Sequence, residues 1–99
     1  METHAKVVII GGGVVGCSIL FHLAKFGLKD CILLERKELT SGSSWHAAGN
    51  VHVISNDPNI SRLMAYTIRL YKEIEETSCH STGFKPSGGF YLASNEVWA

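Results

Sequence analysis

The sequence predicts an α/β fold: the opening part of a Rossmann-like dinucleotide-binding domain, running β-α-β and then loop, helix and strand. Three observations carry this. Val7-Val8-Ile9-Ile10 is an apolar, β-branched run that reads as a parallel strand covered on both faces. Gly11, Gly13 and Gly16 follow it at the G-x-G-x-x-G spacing. Glu35 closes a second apolar run, nineteen residues beyond Gly16, where this fold places a carboxylate for the ribose hydroxyls. The first glycine allows the tight turn, the second lets backbone approach a pyrophosphate, and the third lets helix pack close to strand.

In chain order, residues 5–10 are the first strand. A helix is predicted over residues 14–26, with Val15, Ile19, Leu20, Leu23 and Phe26 on its apolar face and Gly27 ending it at positive φ. Val14 and Val15 open that helix, where N–H groups lacking intrahelical acceptors meet the positive end of the helix dipole, a setting for phosphate. His22 is placed on the outer side, in solvent. Residues 31–35 form the second strand. A carboxylate at Glu35 also repels a 2′-phosphate, which disfavours NADP. Arg36 and Lys37 either reach phosphate or adenine or stand in solvent.

Residues 39–50 are rich in small and hydroxyl side chains, which let backbone pass close to a ligand and supply donors for phosphate. They read as a ligand-contacting loop entering a short helix, with Ser43 or Ser44 as its cap. Asp57-Pro58 then gives an N-cap and a proline at the first helical position. The helix runs to about residue 77, with Ile60, Leu63, Met64, Thr67, Leu70, Tyr71 and Ile74 on one face. A loop spans 81–87, and Gly88-Gly89-Phe90-Tyr91-Leu92-Ala93-Ser94 reads as a further strand.

Composition bounds the function. The chain has 99 residues, 45% of them hydrophobic and 18% charged, which marks globular material and not a disordered tail. Nine Lys+Arg balance nine Asp+Glu, leaving no electrostatic footprint for nucleic acid or an anionic membrane. No apolar run reaches the length of a membrane span, and no signal or transit peptide is visible, so the reading is cytoplasmic, with the mitochondrial matrix as the eukaryotic counterpart. Cys17, Cys31 and Cys79 lack C-x-x-C spacing and read as reduced thiols, two of them packed in secondary structure; no metal site is indicated. A doubly wound sheet needs about five or six strands. The chain has room for fewer, so residues 1–99 are expected to be an N-terminal fragment of an FAD- or NAD-binding domain, with the remaining strands and the substrate domain absent.

One stretch is more specific than the glycine turn. Gly42-Ser43-Ser44-Trp45-His46-Ala47-Ala48-Gly49 resembles the G-S-T-W-H-A-A-G motif of FAD-dependent amine oxidoreductases, in the dimethylglycine/sarcosine dehydrogenase branch of the glycine-oxidase-like superfamily. Ser44 stands where threonine is usual and keeps the hydroxyl. Gly88-Gly89-Phe90-Tyr91-Leu92-Ala93 is similar to the family's G-G-[ILF]-x-[LV]-A strand, so the resemblance covers essentially the whole chain. It implies FAD as cofactor, contacted by Gly11, Gly13, Val14, Val15, Gly16, Glu35, Arg36, Ser43, Ser44, His46, Ala47 and Gly49. It also implies that His46 is joined covalently to the 8α-carbon of FAD, which raises the flavin's potential and prevents its loss.

The implied activity is oxidation of an N-methyl amino acid by hydride transfer to flavin, with oxygen or a flavoprotein as electron acceptor. A tetrahydrofolate-binding domain follows in many members. The family's substrate residues lie downstream, so no catalytic residue is assigned here. His52, His80, Tyr66 and Tyr91 read as surface or core positions. The competing readings are an oxidoreductase with dissociable FAD or NAD, and an inactive, truncated nucleotide-binding fragment.

Overall fold

The computed structural model describes residues 3–92 and 94. The chain divides into two compact units, Met1–Gly49 and Asn50–Ala99.

The first unit is a β-α-β motif: β1 (Val7–Ile10), α1 (Val14–Lys25) and β2 (Cys31–Leu34). The strands pair in parallel with Val7 opposite Cys31 and Ile10 opposite Leu34. Parallel neighbours require a crossover, and α1 supplies it, packing on both strands. Helix α1 ends on Phe26 as C-cap, with Gly27 at φ 92°. The N–H of Leu28 donates to Leu23 O at 2.9 Å and that of Gly27 to Ala24 O at 3.0 Å, a Schellman closure of the last turn. Gly27 therefore acts where the sequence places it.

Two packing expectations need correction. Strand β1 is not covered on both faces: Ile9 is 8% exposed, but Val8 is 50% and Ile10 87% exposed, because one helix and one neighbouring strand cover only part of it. On α1 the half-buried positions are Gly16, Cys17, Leu20, His22 and Leu23. Val15, Ile19 and Phe26 are exposed, because the close approach at Gly16 rotates the covered stripe away from them. His22 is half-buried and its Nδ1 lies 2.7 Å from Ser18 O.

The second unit is built on α2 (Pro58–Ser78). Asp57 caps it as expected: its carboxylate accepts from the N–H of Asn59 at 2.7 Å and of Ile60 at 3.4 Å. Met64, Thr67, Leu70, Tyr71 and Ile74 are half-buried, while Ile60 and Leu63 at the start are exposed. The helix ends at Cys79 in the left-handed region, φ 58°. Thr82 N–H and Oγ1–H both donate to Glu75, at 2.8 and 2.5 Å, folding the following loop back so that Phe84 meets Tyr71. The strand expected at residues 88–94 is not formed over 88–92, where among the described residues no neighbouring strand satisfies its backbone; residue 93 lies outside the described residues. Among the described residues, no helix is long and apolar enough to cross a membrane.

Candidate functional site

The site grows from the end of β1. Gly11 takes φ 109°, a conformation L side chains rarely adopt, and a Cβ there would meet nothing within 4 Å, so its outer side is open. Its N–H donates to Leu34 O at 2.8 Å, carrying the parallel ladder one step beyond the strands. Gly16 explains itself by distance: a Cβ at this position would lie 1.9 Å from Gly11 O. Only glycine lets the first turn of α1 sit this close to the strand end.

Gly12, which sequence reasoning passed over, is the structural centre of the turn. It and Ile9 are the buried residues of the described chain. Its N–H donates to Glu35 Oε2 at 2.7 Å, its carbonyl accepts from Thr40 N–H at 2.9 Å, and Cys17 Sγ lies 3.6 Å from the same oxygen. A Cβ on Gly12 would meet Leu39 Cδ2 at 2.6 Å and Glu35 Cβ at 3.1 Å. One residue thus joins the β1 end, the β2 end, α1 and the loop beyond. The signal that could have found it was the third consecutive glycine, Gly11-Gly12-Gly13, where the dinucleotide spacing asks for only two.

Glu35 follows β2 directly. The N–H groups of Gly12 and then Lys37, at 3.2 Å from Oε1, stabilise the carboxylate and hold its pKa below the usual range; Arg36 adds to this and partial desolvation opposes it. The acid is therefore ionised and fixed at neutral pH.

Beyond it, Thr40 stands at φ 65°, strained for a β-branched residue and held by its bond to Gly12. Residues 41–46 are successive turns, not the entry to a short helix. Trp45 N–H donates to Gly42 O at 3.2 Å, His46 N–H to Ser43 O at 3.1 Å and Ala47 N–H to Ser44 O at 3.4 Å. Ser44 does cap a helix, but a distant one: Val14 N–H, at the start of α1, donates to Ser44 Oγ at 2.9 Å. The sequence expectation of a local cap fails because the nearest unsatisfied helix amide belongs to a segment thirty residues earlier.

These elements enclose an open groove of about 500 Å³. Gly11, Gly13, Val14, Val15, Gly16, Glu35, Ser43, Ser44 and Ala47 line it, as sequence reasoning grouped them, and the apolar wall comes from Ile9, Ile10 and Ile19. Arg36 lines an adjoining groove of about 470 Å³ that shares Gly11, Glu35 and Gly42. His46 and Gly49 lie outside both linings. His46 is exposed, with Nδ1 3.0 Å from Gly42 O; a carbonyl only accepts, so Nδ1 carries the proton. Gly49 ends the unit at φ 76°. Cys17 and Cys31 are half-buried and Cys79 exposed, all as free thiols. Among the described residues, no His/Cys/Asp/Glu group is arranged to hold a metal ion.

A parallel β-α-β unit with a tight glycine turn, helix amides facing a groove and an acid at the second strand end defines a Rossmann-like α/β fold of the dinucleotide-binding class. The family model described as FAD dependent oxidoreductase matches residues 6–99, and the chain belongs to that family. It is 45% identical over 96 residues to dimethylglycine dehydrogenase, mitochondrial, of Homo sapiens, covering 97% of this chain and 11% of that protein. It is 45% identical over 96 residues to sarcosine dehydrogenase, mitochondrial, of Homo sapiens, covering 96% of this chain and 10% of that protein. It is 37% identical over 93 residues to 4-methylaminobutanoate oxidase (formaldehyde-forming) of Paenarthrobacter nicotinovorans, covering 94% of this chain and 11% of that protein. The chain thus spans about a tenth of the length of these relatives.

Proposed function

We propose that residues 1–99 are the N-terminal part of the FAD-binding domain of an oxidoreductase that oxidises the C–N bond of an N-methyl amino acid of dimethylglycine or sarcosine type. The observation that carries this reading is the convergence of the Glu35 carboxylate, the opening amides of α1 and the Ser43–Ser44 hydroxyls on one groove. Its dimensions and chemistry suit a dinucleotide: Gly11 leaves room for close approach, the helix start favours a pyrophosphate, and a fixed carboxylate accepts from ribose hydroxyls. Similarity to the dimethylglycine and sarcosine dehydrogenases supports the substrate class. FAD, when bound, supplies the hydride acceptor, and dioxygen or a flavoprotein takes the electrons onward.

The protein's own contribution here is to bind, orient and tune. Glu35 selects the ribose with free hydroxyls. Val15 presents a helix amide, while the amide of Val14 is taken by Ser44 Oγ. His46, with its proton held on Nδ1 by Gly42 O, keeps a lone pair on Nε2, the nitrogen we assign to the bond with the flavin's 8α-carbon. A second reading, dissociable FAD, draws on the exposure of His46 and its position outside the groove lining.

Flavin retention separates the two. The full-length protein, denatured in acid and weighed intact, is expected to carry the mass of FAD on the polypeptide. His46→Ala is expected to lose that adduct while still binding FAD reversibly. Quantitative release from the unaltered protein would establish dissociable FAD.

A further inference from the structure

We infer that Ser44 is the positioning residue that sets His46 for attachment to flavin, by tying the His46 turn to the phosphate-binding start of α1. The inference rests on the reading of His46 as the flavin-linked residue and goes beyond it. Across residues 41–50 every residue is exposed except Ser44. Its Oγ accepts from Val14 N–H at 2.9 Å, and a Cβ on Gly13 would come within 3.1 Å of the same oxygen, so the hydroxyl sits in a close-fitting notch at the helix start.

His46 is two residues further along a turn stiffened by its own backbone bonds, from Trp45 to Gly42, His46 to Ser43 and Ala47 to Ser44. A constraint at Ser44 is therefore passed to the imidazole, itself held at 3.0 Å to Gly42 O. The other tie of this loop to the strand-helix turn, Thr40 N–H to Gly12 O, lies six residues before His46 and fixes the loop's base, not its tip.

The Ser44 hydroxyl also has a proton to give. A hydroxyl that accepts from one amide still donates, and an anion at a helix N-terminus is the natural acceptor. Val14 N–H, Ser44 O–H and a phosphate oxygen form a relay in which the dinucleotide, once seated, clamps the His46 turn. In bond formation Nε2 takes the place of one hydrogen on the flavin methyl carbon, and the hydrogen on Nδ1 is released so that the substituted imidazole stays neutral. Both hydrogens leave as protons, and the two electrons pass to dioxygen, giving hydrogen peroxide. Such a step depends on near-attack geometry, where a misplacement of about 1 Å costs on the order of a hundredfold in rate.

The test is the rate of attachment in full-length apoprotein mixed in air with saturating FAD, followed as acid-stable flavin by intact mass. Saturation is verified for each variant by quenching of flavin fluorescence. Ser44→Ala and Ser44→Val are expected to attach flavin at least about tenfold more slowly, and Ser44→Thr, which restores the hydroxyl on the valine shape, within about threefold of the unaltered protein. Equal rates for the valine and threonine variants overturn the inference, since they differ only in the hydroxyl. A valine variant that binds no FAD at any concentration also overturns it, because Ser44 would then act in binding and not in placement. Absence of acid-stable flavin in the unaltered protein overturns the His46 reading itself, a result visible without any variant.

Discussion

At the scale of single residues, Glu35 and Gly12 act as one device. Removing the acid loses hydrogen bonds to a charged acceptor, so Glu35→Ala is expected to weaken FAD binding by about ten- to a hundredfold in a fluorescence titration of the full-length protein. The pair also gives stability a pH dependence. The Glu35 pKa is lowered in the folded state, chiefly by Gly12 N–H, so the contribution is fully present above the unfolded carboxylate value and is lost as pH falls through the lowered folded value. Urea midpoints measured from about pH 6 down to about pH 3 are expected to fall less steeply in Glu35→Gln than in the unaltered protein. The acid was legible from its distance to Gly16. Gly12 was not, because its importance lies in what surrounds it: a carboxylate and a leucine brought from residues 35 and 39.

Elements were legible wherever local chemistry decides them. Gly27 and Asp57 announce the end of one helix and the start of another, and each makes the hydrogen bonds expected of its type. Asp57→Ala is expected to destabilise α2 by about 1 kcal/mol, read as a loss of helical signal on chemical denaturation. Gly16→Ala is the severer change: with Gly11 O 1.9 Å from the new methyl group, helix and strand end must separate. A loss of about 1–3 kcal/mol is expected, with weakened FAD binding, measured on the same denaturation curves. The elements that sequence patterns misassigned depend on distant partners. Residues 88–92 have the composition of a strand but, among the described residues, no neighbour to pair with, and Ser44 finds its amide on α1. The His46 motif itself was readable as a family signature, in agreement with the match across residues 6–99, yet its turns were not.

For the whole molecule, the sparse core matters most. Ile10, Phe26, Phe90 and Leu92 are more than four-fifths exposed, leaving much apolar surface in contact with water. A 99-residue chain expressed alone is expected to bind a hydrophobic dye such as ANS strongly and to show no amine-dependent reduction of an artificial electron acceptor. Steady turnover by that polypeptide would mean that residues 1–99 suffice for catalysis. The buried amide of Gly12 gives the same molecule a built-in beacon. A glycine amide proton held 2.7 Å, nitrogen to oxygen, from a carboxylate resonates well downfield and stands apart in a nitrogen-correlated NMR spectrum. A dinucleotide titration of nitrogen-15-enriched protein, followed on that single peak, would report any change in the Gly12–Glu35 hydrogen bond.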